Sequence, residues 1–497
     1  MNSPTAPTLD HREQTGSGTP LRSTRRWLAL TVLALAQFLV VLDASIVNIA
    51  LPSLGSQLGL DTAGLSWVIT AYVLPFGGLL LLGGRLADRY GHRRLFLAGS
   101  LGFVAASALA GFAVSGEMLF AARAVQGASA ALLAPASLAL VTQLFPIARD
   151  RAKALGIWGA VAGIGSAAGV LLGGVLTAAF GWQAVFFVNV PIGAAVLVFI
   201  PFLISRDPRT NTSTRLDYPG AATITGGLVA AVGALTAFEQ AGLGNPVTVG
   251  LAIAAVALIT AFVLIERRSA APLVSFSIFA NRSVTAGNIV ILLMGAAMTA
   301  LFFAFSVYTQ AVLHYDALTA GLSQLPLAGA LVIVAGVVPA VIGRVGTRAA
   351  LVGSLLVLAG GLVWLAATPT TASFVVDLLG PTILIGVGLG GTFVAATQLA
   401  VHGVRPADAG LAGGLVNTSQ QVGSAVGLAL LSTLAATRTE ALVEQGAALP
   451  DALTAGFSWV FVLGAVLAVV AAAAVLAIRD RGAHATGARQ ERDIVGV

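Results

Sequence analysis

GLSWVITAYVLPFGGLLLLGGRLADRYGHRRLFLAGSLGFVAASALAGFAVS, residues 64–115, is two apolar runs joined by a charged turn. No charged side chain occurs in 64–84 or in 95–115, whereas the ten residues between them hold Arg85, Asp88, Arg89, Arg93 and Arg94. Each run is about 20 residues long, enough for a helix to cross the ~30 Å of a bilayer's hydrocarbon core.

The same alternation runs through the whole chain. Apolar stretches occupy roughly 27–51, 64–84, 95–115, 118–145, 154–179, 184–204, 218–238, 246–265, 284–311, 318–342, 349–367, 372–397, 413–435 and 454–478. Of the 26 Lys and Arg residues, 24 lie in the two tails and the even-numbered gaps; Arg438 stands in an odd gap and Arg123 inside the fourth stretch. By the positive-inside rule both tails and all the basic gaps are expected on the cytoplasmic side. A chain with 57% hydrophobic and 9% charged residues and a mean hydropathy of +0.94 is not a water-soluble domain. The net charge of +6 is dispersed over short cytoplasmic segments rather than gathered into a stripe, which argues against nucleic acid as a partner. With no cysteine, disulfides, thiolate metal sites and catalytic thiols are excluded. Residues 1–26 are polar and Arg-containing, and the stretch that follows is longer than a signal-peptide core, so a disordered, retained tail is expected.

The charged turn has an echo. Arg89-x-Gly91-x-Arg93 recurs as Arg344-x-Gly346-x-Arg348, eight stretches later. Cytoplasmic turns favour Gly and Arg in any case, so two unrelated turns are one explanation. The other is a duplicated six-helix unit with a helix pair inserted between the copies. The chain then divides into a cytoplasmic tail 1–26, a bundle 27–204, inserted helices within 205–283, a second bundle 284–478 and a cytoplasmic tail 479–497. Transporters built from parallel repeats place substrate at the interface of the halves near the midplane.

Four segments carry a resemblance to a known family. Leu42-Asp43-Ala44-Ser45-Ile46-Val47-Asn48-Ile49-Ala50-Leu51-Pro52 is similar to the first-helix signature of the fourteen-helix drug:proton antiporters of the major facilitator superfamily. Gly84-x-Leu86-Ala87-Asp88-Arg89-x-Gly91-x-Arg93 matches that superfamily's loop motif, and Arg123-x-x-Gln126-Gly127 with Ala130-Ala131 resembles its fourth-helix motif. The fifth stretch, with Gly165, Gly169, Gly173 and Gly174, resembles the antiporter motif, and Gly181-Trp182-Gln183-Ala184-Val185-Phe186-Phe187-Val188-Asn189-Val190-Pro191 follows the family segment after it. Two positions depart: Val170 stands where the family usually has Pro, and Gln183 where an Arg is common. The resemblance spans about 27–478. It implies an all-α membrane protein of the major facilitator fold, with fourteen transmembrane helices in two six-helix bundles plus two inserted helices. It also implies proton-driven efflux of drugs or antibiotics through the cytoplasmic membrane without a cofactor. In the family the fourth-helix Arg is implicated in proton coupling and the first-helix acid in coupling or substrate contact. The loop cluster, here Gly84, Asp88, Arg89, Gly91 and Arg93, acts there as a gate latch.

The residues themselves point the same way. An Arg in a spanning helix costs at least ~2.5 kcal/mol to insert unless it is paired or faces water. Counted along their helices, Arg123 lies ~9 Å below the outer boundary and Asp43 ~24 Å above the inner one, so on a ~30 Å core the two can meet. The pair is either a static brace between two helices or a site where Asp43 exchanges a proton against Arg123 and substrate. Asp377 is placed nearer the outer vestibule, and Glu239 and Asp316 near outer helix ends. Gln37, Asn48, Tyr72, Gln126, Trp158, Asn288, Gln310 and Asn417 are candidate cavity-lining residues, as are Gln324, Gln420 and the aromatics Phe302, Phe303 and Phe305; each could equally pack or bond helix to helix. Gly165, Gly169 and Gly173 bare one helix face to close approach, which could serve tight packing alone or also rocking between the halves; Gly386/Gly390 and Gly423/Gly427 repeat the spacing.

The other function classes lack their residues. The one lysine, Lys153, is flanked by alanines and completes no phosphate loop. The five histidines lie in tails or gaps, and no catalytic or metal-ligating constellation occurs within the spans. Neither tail is long enough for a sensor's output domain. The expected partners are a small hydrophobic substrate, protons and the bilayer, with no metal and no oligomer required; uptake, or uncoupled carriage of a specific metabolite, is the alternative the spans leave open.

Overall fold

The computed structural model describes residues 23–205, 217–242, 244–269, 272–274, 276–404 and 409–477. Every apolar stretch becomes a helix: α1 (Ser23–Leu58), α2 (Thr62–Tyr90), α3 (His92–Gly111), α4 (Gly116–Leu144), α5 (Ala148–Phe180), α6 (Ala184–Leu203), α7 (Tyr218–Ala241), α8 (Pro246–Arg268), α9 (Arg282–Val312), α10 (Ala317–Val345), α11 (Thr347–Ala366), α12 (Phe374–Ala400), α13 (Ala409–Glu444) and α14 (Leu449–Ala477). Thirteen are long and apolar enough to cross a membrane, and α5 adds a shorter apolar stretch, Ala168–Phe180. This is a multi-pass membrane architecture, with no strand among the described residues.

Local chemistry sets the helix ends. Asp61 and Ser115 accept the N–H groups of Gly64 and Met118 at the starts of α2 and α4. Asp316 does the same for Thr319 at α10, and hydrogen bonds from the Thr319 hydroxyl and N–H hold its carboxyl below the usual carboxylate range. Gly91 and Gly346 both adopt positive φ, 101° and 84°, and return their N–H groups to Ala87 and Ile342. The two echoing turns are thus the same turn, and glycine supplies the conformation each requires. Three helices are less regular than their hydropathy suggests. The stretch α6 breaks at Val188, and the last turn of α9 and first turn of α12 widen to π-helix at Tyr308–Val312 and Phe374–Leu378.

Packing reveals the duplication. Within the first six helices α1 lies on α5, α2 on α4, α3 on α4, and α6 on α1 and α3; eight helices on, α9 lies on α13, α10 on α12, α11 on α12, and α14 on α9 and α11. The halves meet along two related seams, α2 against α13 and α5 against α10, with α1 touching α9 between them. The inserted helices α7 and α8 pair with each other, and α7 lies along the α2–α13 seam. Gly78 makes room for Thr225 of α7, and Trp67 of α2 donates to Thr236 at 3.0 Å. After α8 the chain is clamped: both carboxylate oxygens of the buried Glu266 accept backbone N–H groups, from Leu273 and Val274, and Arg85 donates to the Pro272 carbonyl. Leu273 and Val274 form a small apolar cluster with Ala221 and Leu415, against which Leu81 and Leu411 pack. The connector therefore ties the inserted pair to both halves.

Candidate functional site

One layer of the first bundle is polar where its surroundings are apolar. Asp43 on α1, Ser107 on α3, Gln126 on α4 and Asn189 on α6 are all 0% exposed, and Arg123 on α4 is 1% exposed. The backbones are brought together by missing side chains: a β-carbon on Gly127 would collide with the Tyr72 carbonyl, so α4 and α2 cross in contact one turn from Arg123. On the other side of α1, Gly169 of α5 sits where a β-carbon would come within 2.6 Å of Ser45.

The network is nearly closed. Arg123 Nη1 donates to Asp43 Oδ2 at 2.5 Å and to Gln126 Oε1 at 2.8 Å, while its Nε donates to the Val68 carbonyl at 3.1 Å. Its guanidinium lies over the Tyr72 ring, 4.3 Å from the centroid, with Phe186 at 5.8 Å. Gln126 Nε2 donates to Asp43 Oδ1 at 2.7 Å and to Ser107 Oγ at 2.8 Å, and Asn189 Nδ2 donates to the same carboxylate oxygen at 2.8 Å. Ser107 Oγ donates in turn to the Phe103 carbonyl. A buried acid and base thus neutralise each other amid neutral donors, in a setting that excludes water. Breaking such a pair by removing one partner leaves an uncompensated charge, at about 3–5 kcal/mol.

The other candidate residues scatter. Tyr72 and Gln126 belong to this network rather than to a cavity wall. Asn48 bonds back to the Ala44 carbonyl and its own carbonyl accepts from Ser306 of α9 at 2.5 Å; Gln310 of α9 reaches the Ile49 carbonyl at 3.1 Å. These contacts join the two halves. Asn288 accepts from Ser419 and is a helix-to-helix bond inside the second half, and Asn417 is exposed and bonds its own helix. Gln37 Oε1 and both amide atoms of Gln324 are buried without a partner. The side chain of Trp158 lies outside the described residues. Phe303 and Phe305 are buried in the core, and Phe302 packs against it. Asp377 is partly exposed and accepts the Ser373 N–H at a helix start.

In the charged turn between α2 and α3 Asp88 faces His92 at 3.5 Å, Arg89 lies over Tyr90, and Arg93 donates to the Pro201 carbonyl of α6. The glycine stripe also resolves differently from the rocking surface: Gly165, Gly169 and Gly173 pack on α1 of their own half, as Gly423 and Gly427 pack on α9 of theirs. Of the four α5 glycines, Gly174 is the one that faces across, against Ala317 and Leu318 of α10.

Ser107 and Asn189 are the members that sequence reasoning did not single out. Asn189 stands in the quoted segment 181–191, and an amide inside an apolar stretch is itself the signal; Ser107 offers none, since serine is common in spanning helices.

A model of the Major Facilitator Superfamily matches residues 33–428. The chain is 41% identical over 437 residues to a puromycin resistance protein of Streptomyces alboniger, covering 87% of this chain and 86% of that one. It is 40% identical over 416 residues to a cephamycin export protein of Amycolatopsis lactamdurans, with 83% and 85% covered. Among solved structures, a bacterial homologue of the human lysosomal transporter Spinster superposes with a TM-score of 0.68 at 14% identity, covering 91% of this chain and 97% of that one.

Proposed function

The chain belongs to the Major Facilitator Superfamily, and from that footing we propose that it exports hydrophobic or amphipathic antibiotic-like compounds across the cytoplasmic membrane in exchange for protons. The single observation that carries the coupling is the buried Asp43–Arg123 pair, one acid and one base held at 2.5 Å in the interior of the first bundle. A proton enters Asp43 from outside, the pair loosens, and return of the proton to the cytoplasm is linked to movement of substrate outward as the two halves, 27–204 and 284–478, alternate about a midplane site. Both tails, 1–26 and 479–497, are cytoplasmic, and the loop of Gly84, Asp88, Arg89, Gly91 and Arg93 latches the cytoplasmic face. The driving force is the proton gradient, and the chemistry is carriage rather than catalysis.

The puromycin resistance and cephamycin export named in the relatives support the substrate class. The test is purified protein in liposomes under an inward proton gradient, following puromycin and lipophilic dyes. Gradient-driven movement that disappears in Arg123→Ala and Asp43→Asn is the expected result. An Asp43→Asn protein that folds and keeps an unchanged proton dependence would remove Asp43 from the mechanism, and movement down the substrate gradient alone would make the protein an uncoupled carrier.

A further inference from the structure

Two amides donate to Asp43 Oδ1, and their own oxygens differ. Gln126 cannot turn over. Its oxygen accepts from Arg123 at 2.8 Å and its nitrogen donates to Asp43 and Ser107, so the reversed amide would set N–H groups against the guanidinium and its oxygen against the carboxylate. Asn189 has no such tether. Its nitrogen donates to Asp43 at 2.8 Å and only approaches Ser107 at 3.5 Å, and its oxygen is buried without a hydrogen-bond partner. Such an orphan acceptor beside an ionisable group calls for a donor. The amide torsion is broad and two-fold, and the backbone at Asn189 starts a new helix segment just after the break at Val188.

We propose that Asn189 reads the protonation state of Asp43, donating to the carboxylate when Asp43 is charged and turning over to accept from its O–H when Asp43 is protonated. The inference rests on the proton-coupled reading above. The proton adds to Asp43 Oδ1, since Oδ2 faces the guanidinium. The N–H···O bond from Asn189 breaks and an O–H···O bond to the Asn189 oxygen forms. The charge of the layer rises by one, and Arg123 becomes its cation without a counter-charge. The titratable and charged groups facing Asp43 are Arg123 of α4 and, beyond it, Tyr72 of α2; α3 and α6 contribute only Ser107 and Asn189, and α5 packs on α1 through glycine. Asn189 is therefore a positioning residue that acts through Asp43.

Removing its amide takes a donor from the charged form and an acceptor from the neutral form, and of these the charge-assisted bond is the stronger. Asn189→Leu is expected to let Asp43 take up its proton at about tenfold lower proton concentration, the difference between a charge-assisted and a neutral hydrogen bond. The substrate-free readout is infrared titration of the purified full-length protein, using the protonated-carboxyl band that Asp43→Asn abolishes. The transport readout is the pH profile of dye export in liposomes. Both midpoints should move to higher pH by the same amount in Asn189→Leu, whereas Asn189→Ser, whose hydroxyl can donate or accept, should stay near the wild type. A merely structural role would lower export at every pH without moving either midpoint, and midpoints within twofold of the wild type in Asn189→Leu overturn the proposal. If that variant does not fold, Asn189→Asp serves instead: a second carboxylate in the donor's place must shift the midpoints in the same direction, and no shift again overturns it. A band that titrates normally while export ignores pH would sink the coupled-export reading and leave the Asn189 result standing.

Discussion

Gln126 uses every hydrogen-bonding position of its amide except one oxygen lone pair, and each of its three partners depends on it. Gln126→Leu leaves buried groups on Arg123, Asp43 and Ser107 each one bond short, at about 1–3 kcal/mol per group if none relaxes, so a large fall in thermal unfolding temperature is expected in detergent. Arg123→Ala should be less stable than the wild type by about 3–5 kcal/mol, because Asp43 is left buried without its counter-charge. The double variant Asp43→Asn/Arg123→Leu removes both charges; it is expected to recover much of that stability, measured by thermal unfolding, while export stays uncoupled. A double variant as unstable as Arg123→Ala would show that the charges are not what stabilises the layer. Asp43 and Arg123 stand out in the sequence because each is a charge within an apolar stretch, and helix lengths alone place them at similar depth. Their neutral partners do not stand out. Which of many Ser, Asn and Gln side chains meets the pair depends on helix rotation and crossing, which hydropathy does not carry.

Glycine decides how closely the helices approach. The α5 ladder on α1 and the α13 ladder on α9 are intra-half contacts, so their work is to weld each bundle, and Gly169→Val is expected to weaken the α1–α5 weld and lower yield and thermal stability. Gly127→Ala forces a methyl into the Tyr72 carbonyl and should cost about 1–3 kcal/mol, with export falling further than stability because the α2–α4 crossing also seats Arg123. The connector behaves as an element too. Glu266→Ala frees the N–H groups of Leu273 and Val274, and a cysteine placed at the buried Leu415 should then label several-fold faster with maleimide than in the parent, while one at the buried Leu355, far from the connector, stays protected. All fourteen helices are evident from apolar length and charged gaps. Their irregularities are legible only in part: Asn189 and Pro191 stand just after the break at Val188, whereas neither π-turn contains a Gly or Pro to mark it.

At the scale of the whole molecule the contacts of α1–α6 reappear eight helices later in α9–α14, the same spacing as the five-residue echo. Sequence alone could not say where the inserted pair sits, because nothing in an apolar helix names its neighbour. The bonds from Ser306 and Gln310 to the carbonyls of Asn48 and Ile49 fasten α9 to α1 across the halves. In a chain with no native cysteine, Asn48→Cys/Ser306→Cys should form a disulfide on oxidation that stops export and should regain export on reduction; continued export with the bond formed would mean that this contact does not part during the cycle. The place of α7 has a last consequence. Of the two related seams, α2–α13 is roofed by α7 and tied by the connector, while among the described residues no helix lies in the same way along its counterpart α5–α10. A molecule drifting in the plane of the bilayer thus meets a protein with a front and a back, and the symmetry inherited from the repeat is lost to anything that arrives sideways.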